Sequence, residues 1–324
     1  VYDFLIGTHS LIQDNIKIPD LGLSIIDEQH RFGVLQRAAI KSGEKYYPHS
    51  LTMSATPIPR TLALTAYGDL DLSEINEMPF GERNVKTKLI SPDRIKAAYN
   101  HLKNEIDKGR QVIVICPLIE ESEKLNSSSA EKVYSNLQNT IFPNYNIGLL
   151  HGRLNLDLKE EVMKNFRNGD INILVSTTVI EVGVDVPNAS VMMIQSADRF
   201  GLSQLHQLRG RVGRGKYEGY CILVSDNENE HTQERLKIFE RMSSGIELAN
   251  EDLKIRGEGD ITHTRQSGVP LFKVADLIQD KETQELSRKM AEYYVIDNFD
   301  EFTKNNLLFK KVQMIKEQME GKLN

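Results

Sequence analysis

Two kinds of hydrophobic pattern alternate along the chain. Short continuous apolar runs predict buried strands, and between them apolar residues recur at the three- to four-residue spacing of amphipathic helices. This alternation is typical of a parallel sheet covered by helices on both faces, so the predicted fold class is α/β. The clearest strands are predicted at 111–116, 147–151, 171–176, 190–195 and 220–225.

Capping residues indicate where two helices of this region begin and end. Pro92 favours the start of a helix over 92–108, which Gly109 ends. Asn155 can cap a second helix, which Gly169 ends. The helices therefore fill the intervals between the predicted strands, as a parallel sheet requires.

The rest of the chain has a less regular pattern. The elements expected there are strands at 4–7, 23–27 and 50–54, a helix at 60–67, a Ser-rich loop at 120–129, a Gly-rich loop at 256–268 and two amphipathic helices within 281–324. Met78–Gly81 has the composition of a linker, and strand patterns stop after residue 226. These changes divide the chain into residues 1–80, 81–226 and 227–324.

The composition is that of an ordinary globular protein. The chain has 324 residues, 40% hydrophobic and 27% charged, so intrinsic disorder and fibrous structure are excluded as classes. No apolar run approaches the ~20 residues that cross a bilayer, so no membrane association is expected. With only two cysteines, Cys116 and Cys221, a disulfide framework and a cysteine zinc site are excluded, and a reducing cytoplasm is expected.

The net charge of −6 gives no overall sign of nucleic-acid binding, but the charge is unevenly distributed. Residues 81–225 carry 19 Lys and Arg against 16 Asp and Glu. A basic cluster within them is opposed only by Asp198 and consists of Arg199, Arg209, Arg211, Arg214 and Lys216. Because exposed charges act over about one Debye length, ~8–10 Å, an acidic chain can still carry a basic groove.

Two adjacent carboxylates, Asp27 and Glu28, follow the apolar run Leu23–Ile26. Open α/β sheets place their active sites at the carboxyl ends of strands, so these side chains are candidates for chemistry. Asp27 can hold Mg²⁺ through water, and Glu28 can polarise a water for attack on a nucleotide phosphate. A solvated acidic turn is the alternative interpretation, and the two residues alone do not decide between them.

The segment Gln207–Arg214 combines glycines with arginines. Glycine lets the backbone bend tightly and approach a ligand, and the planar guanidinium of arginine suits phosphate oxygens. Arg211 and Arg214 are three residues apart, so a helical turn would point both side chains the same way. The segment can deliver an arginine finger to a phosphoryl group, and its glycine pattern favours this role over a basic surface turn.

Two further segments carry weaker signals on their own. In Ser176–Pro187, hydroxyl groups can bond phosphates, Gly183 allows close approach, and Asp185 can accept from a ribose hydroxyl or orient an arginine. An ordinary strand-to-loop junction is the simpler interpretation of that segment. In Ser54–Pro57, hydroxyl groups can bond the acidic site, although capping of the next helix is the commoner role.

Taken together, these segments resemble the motifs of a superfamily 2 helicase in their order and spacing. The similarity pairs Asp27–His30 with motif II, Ser54–Thr56 with motif III, Ser176–Pro187 with motif V and Gln207–Arg214 with motif VI. Within that superfamily the chain resembles the RecG-type branch-migration helicases. The runs that carry this closer resemblance are Asp27–Val34 with Gln36 and Arg37, Ala55–Leu64, Ala197–Gly210, Glu251–Gly257 and Thr264–Gly268.

The resemblance implies a role for each matched residue. Catalysis would fall to Asp27, which also holds Mg²⁺ through water, and to Glu28, Gln29, His30, Arg211 and Arg214. Nucleotide binding would involve Gly183, Asp185, Gln207, Arg211 and Arg214. DNA would be contacted by Thr8, His9, Ser10, His151, Gly152, Arg153, Thr177 and Thr178. Coupling between the two would involve Ser54, Ala55, Thr56, Arg265 and Gln266.

The resemblance also implies the architecture and activity of the intact protein. It predicts two RecA-like lobes, in 1–80 and 81–226, with ATP and Mg²⁺ between them, and a helical C-terminal region with a translocation motif in 227–324. The acidic pair and the two arginines are expected to face each other across that gap. The implied activity is translocation on double-stranded DNA, which reverses stalled replication forks and migrates Holliday junctions in recombination and repair. Branched DNA and a single-stranded-DNA-binding protein are the expected partners, at the nucleoid in a bacterial cytoplasm.

The sequence departs from the family pattern in several ways. No Gly-x-x-x-x-Gly-Lys-[Ser/Thr] loop occurs, and the strand that feeds it and the N-terminal wedge domain have no counterpart. The first lobe is therefore expected to be truncated, and the chain, which starts at Val1, to be a fragment inactive as an ATPase by itself. His263 stands where a glycine is expected. The alternatives are the helicase core of a transcription-repair coupling factor, and a module that only binds DNA.

Overall fold

The computed structural model describes residues 3–8, 11, 18, 20–28, 48–54, 71, 73, 75, 85–117, 123–177, 186–261, 280–304 and 306–320. Residues 1–57 and 77–249 form one compact unit, and residues 58–76 and 250–324 form a second. The division of the chain at residues 80 and 226 stays a prediction.

In the first part of the chain, strands β1 (Leu23–Ile26) and β2 (His49–Thr52) pair in parallel. The sequence predicts both strands, with slightly different ends. The predicted strand at 4–7 is wrong, because these residues are irregular and Phe4 is 89% exposed. An apolar run becomes a strand only where a neighbour takes up its backbone hydrogen bonds, and no strand in the described residues pairs with this one.

The main sheet contains six strands in the described part of the chain. They are β3 (Val85–Ile90), β4 (Gln111–Ile115), β5 (Ile147–Leu150), β6 (Ile173–Ser176), β7 (Ala189–Ile194) and β8 (Gly219–Val224). Their order across the sheet is β3-β8-β7-β4-β6-β5, and every neighbouring pair is parallel. This confirms the predicted α/β fold class. All six carboxyl ends therefore lie at one end of the sheet, which we call its carboxyl end, and the opposite end is its amino end.

In the chain order of the described residues, helices occur between these strands and after them. They are α1 (Ile95–Asp107), α2 (Glu123–Asn136), α3 (Leu156–Asn168), α4 (Leu202–Arg209), α5 (Glu230–Arg241), α6 (Gly245–Ile261), α7 (Lys281–Glu292), α8 (Phe299–Lys304) and α9 (Asn306–Glu320). The last three correspond to the two amphipathic helices predicted within 281–324, the second of which is divided. None of the helices described is both long enough and apolar enough to cross a membrane.

The core lies on both faces of the main sheet. Every residue of β4 is buried, and alternate side chains serve opposite faces. Ile113 and Ile115 pack in a cluster with apolar residues of α3, α4 and α5, such as Phe166. Val112 and Val114 pack in the other cluster with residues of α1 and α2. Burying one such aliphatic side chain contributes about 1.5–3 kcal/mol to the stability of the fold. The strands therefore consist of continuous apolar residues, which makes them easy to predict from the sequence.

Strand β3 is the element of this sheet that the sequence patterns above do not predict. Its side chains alternate, with Lys86 and Lys88 exposed between half-buried neighbours, so it lacks the continuous apolar run of a central strand. Lys86 pairs with Glu218 at 2.7 Å and Lys88 pairs with Glu240 at 2.9 Å. Lysines on a strand at the edge of a sheet discourage pairing with another chain.

Two predicted loops are wrong in part. The Ser-rich segment at 120–129 enters α2 from Glu123 onward, because Ala130 and the turns that follow it pack on the sheet and outweigh the weak helix propensity of serine. The Gly-rich segment at 256–268 is helical as far as Ile261, the end of α6. Glycine costs about 1 kcal/mol per residue in a helix, which a long helix can absorb. The remainder of that segment and the predicted helix at 60–67 lie outside the described residues.

The cap of α3 gives a direct test of local stability. Asn155 Oδ1 accepts a hydrogen bond from the Leu158 N–H at 2.9 Å, and Gly169 ends the helix at a φ of +88°. We expect Asn155→Ala to lower the free energy of unfolding by about 0.5–2 kcal/mol, because one N–H of the first turn loses its acceptor. Urea titration followed by circular dichroism measures it. Asn168→Ala, at the other end of the helix, is the control, and an equal loss in both variants would contradict the capping role.

Candidate nucleic-acid and nucleotide sites

The carboxyl end of the main sheet brings together two residues predicted to contact DNA. His151 directly follows β5, and Thr177 directly follows β6. These strands are neighbours, with Leu150 opposite Ser176, and the Thr177 N–H donates to the Leu150 carbonyl at 3.2 Å. Strand pairing thus fixes both side chains at adjacent strand ends.

Both residues are buried, and each has one polar atom without a hydrogen-bond partner. His151 is 6% exposed and Thr177 is 1% exposed. Neither His151 Nδ1 nor Thr177 Oγ1 is hydrogen-bonded in the described part of the chain. An unsatisfied buried polar atom costs about 1–3 kcal/mol, and such atoms in a native structure call for a specific explanation. A ligand with acceptor oxygens, such as a phosphate, would satisfy these atoms only after displacing the groups that now bury them.

The charge state of His151 depends on its surroundings. Burial is the main cause that lowers the pKa of His151; Glu131 opposes it, and the cations Arg153 and Lys159 lower the pKa further. The His151 Nε2 lies 3.7 Å from Glu131 Oε1. Because its pKa lies below the ordinary 6.5, the imidazole is neutral near pH 7 even with Glu131 beside it. A bound phosphate would favour the proton on the ring and oppose the effect of the two cations.

The loop after β5 is held close to the start of α3. Lys159 Nζ donates to the Gly152 carbonyl at 2.7 Å, and the Asn155 cap fixes the first turn of the helix. Arg153 is exposed in the same loop. The N-terminal end of a helix carries partial positive charge, so the loop adds to the attraction for an anion at this end of the sheet.

The segment that carries Arg211 and Arg214 lies at the amino end of the sheet. It connects α4 to β8, and the Gly213 N–H donates to the carbonyl of Ala189, the first residue of β7, at 3.2 Å. Gly213 has a φ of +70°, and a Cβ there would stand 3.2 Å from the Gly219 Cα. Glycine is required at this position, both for the left-handed backbone and for the close approach to β8.

Arg211 and Arg214 are half-buried in this loop, and Gln207 is half-buried on α4. The Arg214 Nε donates to the Gly210 carbonyl at 2.8 Å, so part of its guanidinium braces the loop itself. The segment is a bend, and not the helical turn considered from the sequence, because the left-handed Gly213 interrupts the helical backbone. The arginines are thus presented by a bend that follows directly from α4.

The sheet therefore holds two sets of candidate residues apart. His151 and Thr177 lie at its carboxyl end, whereas the loop of Arg211 and Arg214 lies against its amino end. The sequence alone gives no indication of this separation, because both sets belong to loops of the same lobe. Both sets are attached to the same sheet.

Arg209 does not belong to the predicted basic cluster as a surface charge. Its side chain is only 6% exposed, and it donates to backbone carbonyls of the chain. Burial lowers the pKa of the neighbouring His206 to about 4, and the charge of Arg209 contributes to that shift. A groove at this loop would be lined by Arg211 and Arg214, with the exposed Lys216 beside them.

Strands β1 and β2 bring together the first residues of two other predicted motifs. Asp27 directly follows β1, Ser54 lies just after β2, and the Met53 N–H donates to the Ile26 carbonyl at 2.7 Å. The Glu28 N–H donates to Asp27 Oδ1 at 2.8 Å, with Glu28 in a left-handed conformation at a φ of +53°. The carboxylate pair and the serine thus lie at the same end of these paired strands.

Several predicted residues cannot be placed in this way. Thr8 is described, and its carbonyl accepts from the Leu11 N–H at 3.0 Å in an irregular segment. The predicted residues outside the described part of the chain are His9, Ser10, Gln29, His30, Ala55, Thr56, Thr178, Gly183, Asp185, Arg265 and Gln266. That the acidic pair faces Arg211 and Arg214 across one gap stays a prediction.

The donor set fits part of a site for ATP and Mg²⁺. The guanidinium groups of Arg211 and Arg214 suit phosphate oxygens, and the Asp27 carboxylate suits Mg²⁺ held through water. Within the described ranges, no group of three or more His, Cys, Asp or Glu side chains is arranged to hold a metal ion. The sequence contains no Gly-Lys-[Ser/Thr] loop for the phosphate cradle of such a site, and the role of Arg211 and Arg214 in nucleotide binding stays a prediction.

Two family models match the chain. Residues 93–216, which include most of the main sheet, match the helicase conserved C-terminal domain. Residues 242–320 match a model described as the C-terminal part of domain 3 of the ATP-dependent DNA helicase RecG.

Curated relatives are similar over most of the chain. The ATP-dependent DNA helicase RecG of Synechocystis is 47% identical over 319 residues, which cover 98% of this chain and 38% of the relative. That of Thermotoga maritima is 50% identical over 287 residues, which cover 89% of this chain and 37% of the relative. The chain therefore spans about two-fifths of the length of the relatives it matches.

Solved structures agree with the sequence relatives. A RecG bound to a three-way DNA junction has a TM-score of 0.64 at 46% identity, covering 86% of this chain and 36% of that one. The DNA-bound helicase MrfA shares the fold, with a TM-score of 0.53 at 19% identity, covering 83% of this chain and 41% of that one. The two alternatives left open by the sequence, a coupling-factor core and a module that only binds DNA, are not favoured by these relatives.

Proposed function

We propose that this chain, which belongs to the RecG-type helicases, forms the arginine side and one DNA-phosphate contact of an ATP-dependent translocase on double-stranded DNA. The whole enzyme would reverse stalled replication forks and migrate Holliday junctions in recombination and repair. The observation that supports this best is the placement of two anion-binding candidates at opposite ends of one parallel sheet. A sheet that contacts DNA at one end and a nucleotide at the other turns movement at the nucleotide into movement of DNA.

On the nucleotide side, each residue has a role that its chemistry supports. Bound ATP with its Mg²⁺ supplies the free energy of phosphate-bond hydrolysis. Arg211 and Arg214 stabilise negative charge on phosphoryl oxygens, and Gln207 orients the nucleotide from α4. Asp27 would hold Mg²⁺ through water, and Glu28 would polarise the water that attacks the phosphate. The further residues assigned to this side are Gln29, His30, Gly183 and Asp185.

On the DNA side, His151 Nδ1 and Thr177 Oγ1 donate to phosphate oxygens of the backbone. Arg153 adds attraction by its charge, and Gly152 lets the backbone of the loop come close to the strand. Phosphate contacts carry no sequence information, which suits a motor that must act at any position in the genome. The further residues assigned to DNA contact are Thr8, His9, Ser10 and Thr178.

The remaining elements of the proposal concern coupling and partners. Ser54, Ala55 and Thr56 link the acidic pair to the DNA surface, and Arg265 and Gln266 transmit lobe movement to duplex DNA. The preferred substrate is branched DNA, in keeping with the RecG relative bound to a three-way junction. A contact with single-stranded-DNA-binding protein and work at the bacterial nucleoid complete the proposal.

The DNA side can be tested with this chain. We expect it to bind a fluorescent three-way junction, and His151→Ala and Thr177→Val each to weaken binding by about 10–100-fold. Each variant removes one hydrogen bond to a charged group, which is worth about 1.5–3 kcal/mol. Fluorescence anisotropy titrations at several salt concentrations measure the affinity and the number of phosphate contacts.

A matched control comes from the other end of the sheet. Ser190 is also buried, and its hydroxyl has no hydrogen-bond partner, but it lies near the start of β7. Ser190→Ala should leave DNA affinity unchanged. If His151→Ala and Thr177→Val bind the junction as tightly as Ser190→Ala does, DNA does not bind at the carboxyl end of the sheet.

A further inference from the structure

Arg209 is a buried cation that forms no salt bridge in the described part of the chain. Its Nη1 donates to the carbonyls of Met242 at 2.7 Å and Phe239 at 3.2 Å. Its Nη2 donates to the carbonyl of Ser243 at 3.1 Å. All three acceptors lie in the last turn of α5 or in the link from α5 to α6.

The guanidinium of Arg209 also contacts an aromatic ring, a hydroxyl group and an imidazole. The guanidinium carbon lies 4.3 Å from the centre of the Phe239 ring. Nη1 reaches Thr87 Oγ1 of β3 at 3.5 Å, and Nη2 lies 3.3 Å from Nδ1 of His206, one turn earlier on α4. The planar fork of arginine can engage several acceptors in different directions at once, which the ammonium of lysine cannot do with this geometry.

The buried charge of Arg209 is stable only while α4, the end of α5 and the start of α6 stay in contact. Burying a charge is costly unless hydrogen bonds and opposite charge compensate for it. Here the compensation comes from helix α5, whose C-terminal carbonyls carry partial negative charge, and from the ring of Phe239. If α5 and the start of α6 moved away from α4, the guanidinium would lose three carbonyl acceptors and the Phe239 ring together. Separation of these segments is therefore unfavourable.

The position of Arg209 in the chain gives this contact a consequence. Arg209 is the last residue of α4, and Arg211 and Arg214 follow within the next turn and bend. The acceptors lie immediately before α6, which begins at Gly245 and whose residues from Asn250 onward belong to the second compact unit. One side chain thus joins the arginine loop to the segment that leads out of the first unit.

We infer that Arg209 is a positioning residue that makes the loop of Arg211 and Arg214 and the start of α6 move as one body. The consequence that a displacement of the arginine loop at the nucleotide also displaces α6 rests on the proposed function. The tie, by which we mean the contacts of Arg209 with Phe239, Met242 and Ser243, does not rest on it, because these contacts exist without DNA or nucleotide. The two can therefore fail separately in experiment.

Amide hydrogen exchange of the whole chain, measured by mass spectrometry without ligands, tests the tie. In Arg209→Met, which keeps the length and apolar stem of the side chain, we expect exchange at 242–249 and at 210–216 to rise together by at least tenfold. Exchange at β4 should stay unchanged. The joint rise is the informative result, because a local packing role beside α5 would affect 242–249 alone.

Controls and a second variant make the outcome decisive. Arg199→Met removes an exposed arginine of the same predicted cluster and should change neither segment. Unchanged exchange at 210–216 in Arg209→Met overturns the inference, and so does a uniform loss of protection across the sheet. If Arg209→Met does not fold, Arg209→Lys replaces it. It should give the same joint rise at smaller amplitude, and wild-type protection in Arg209→Lys overturns the role of the fork.

Discussion

Replacing Arg211 by alanine is expected to slow nucleotide hydrolysis by a factor on the order of 10³–10⁵ in a helicase that joins this chain to a phosphate-binding loop. That range is the contribution of an arginine that stabilises charge on a transferring phosphoryl group. Arg214→Ala should cause a loss of similar order, with an added effect on the loop, because the Arg214 Nε braces the Gly210 carbonyl. The loss should appear mainly in kcat, since the charge being stabilised develops in the transition state.

A graft provides the enzyme for this measurement. The RecG of Thermotoga maritima matches 287 residues of this chain at 50% identity, and that segment can be replaced by the present chain. Steady-state hydrolysis at saturating junction DNA then gives kcat and KM for each variant. The grafted wild type serves as the reference for folding and for basal rate.

Lys216→Ala is the matched control for Arg211→Ala. Lys216 is an exposed cation of the same loop, so its removal lowers the local charge by the same amount. We expect its rate to stay within about twofold of the reference, because screened surface charge has a small effect at this distance. Equal rates in Lys216→Ala and Arg211→Ala would show that the arginine acts only through general charge.

Acid is expected to weaken the packing of α4 through His206. Burial, with help from the charge of Arg209, lowers the pKa of this histidine from its ordinary 6.5 to about 4. As the pH falls, the unfolded chain therefore takes up the proton before the folded one does. The free energy of unfolding should decrease between about pH 6.5 and pH 4 and level off below that window.

The size of this loss can be isolated with one substitution. The full shift corresponds to about 3 kcal/mol, and partial exposure of His206 reduces our expectation to about 1–3 kcal/mol. In His206→Gln, whose amide oxygen can still accept from Arg209, that part of the pH dependence should disappear. Urea titrations at neutral pH and near pH 4.5 measure it, and all other titrating groups are common to both proteins.

An exposed histidine supplies the comparison for this experiment. His231 lies at the surface of α5, so His231→Gln should keep the pH dependence of the wild type. The same acid sensitivity in wild type and His206→Gln would mean that the stability of the fold does not depend on a neutral ring at position 206. It would also weaken the case for a close contact between that ring and Arg209.

The central sheet can be predicted from the sequence because its strands are covered on both faces. The run Gln111–Ile115 is buried at every position, and no exposed polar residue interrupts it. The ends of α3 follow from single residues, Asn155 and Gly169, whose backbone and side-chain preferences act locally. Local chemistry is sufficient for elements of this kind.

Strand β3 cannot be predicted from local sequence patterns in this way. It carries lysines at alternate positions, and the remaining signal is the period-two placement of Val85, Thr87 and Leu89. A six-residue strand with alternating exposed and half-buried side chains gives a weak signal, and the stronger helix signal at Pro92 follows it directly. Its pairing with β8 depends on residues more than a hundred positions away, which no local pattern contains.

The candidate sites divide in the same way. The glycines and arginines of Gln207–Arg214 predict a segment that contacts phosphate, and the structure adds where that segment lies. His151 and Thr177 are identified by resemblance, but their unsatisfied atoms become visible only in three dimensions. Arg209 looks like one more surface cation in the sequence, because its acceptors are backbone carbonyls that follow 30 to 34 residues later.

The pairing of β3 has a consequence for how the protein is made. Its only strand partner in the described residues is β8, and Gly219 follows its register partner Val85 by 134 positions. During synthesis on the ribosome, β3 is therefore complete long before its hydrogen bonds can form. The lysines at 86 and 88 act as gatekeepers during that interval, since they keep a waiting strand from joining another nascent chain. If translation stops before β8 emerges, β3 stays unpaired, and chaperones and proteases can then recognise it.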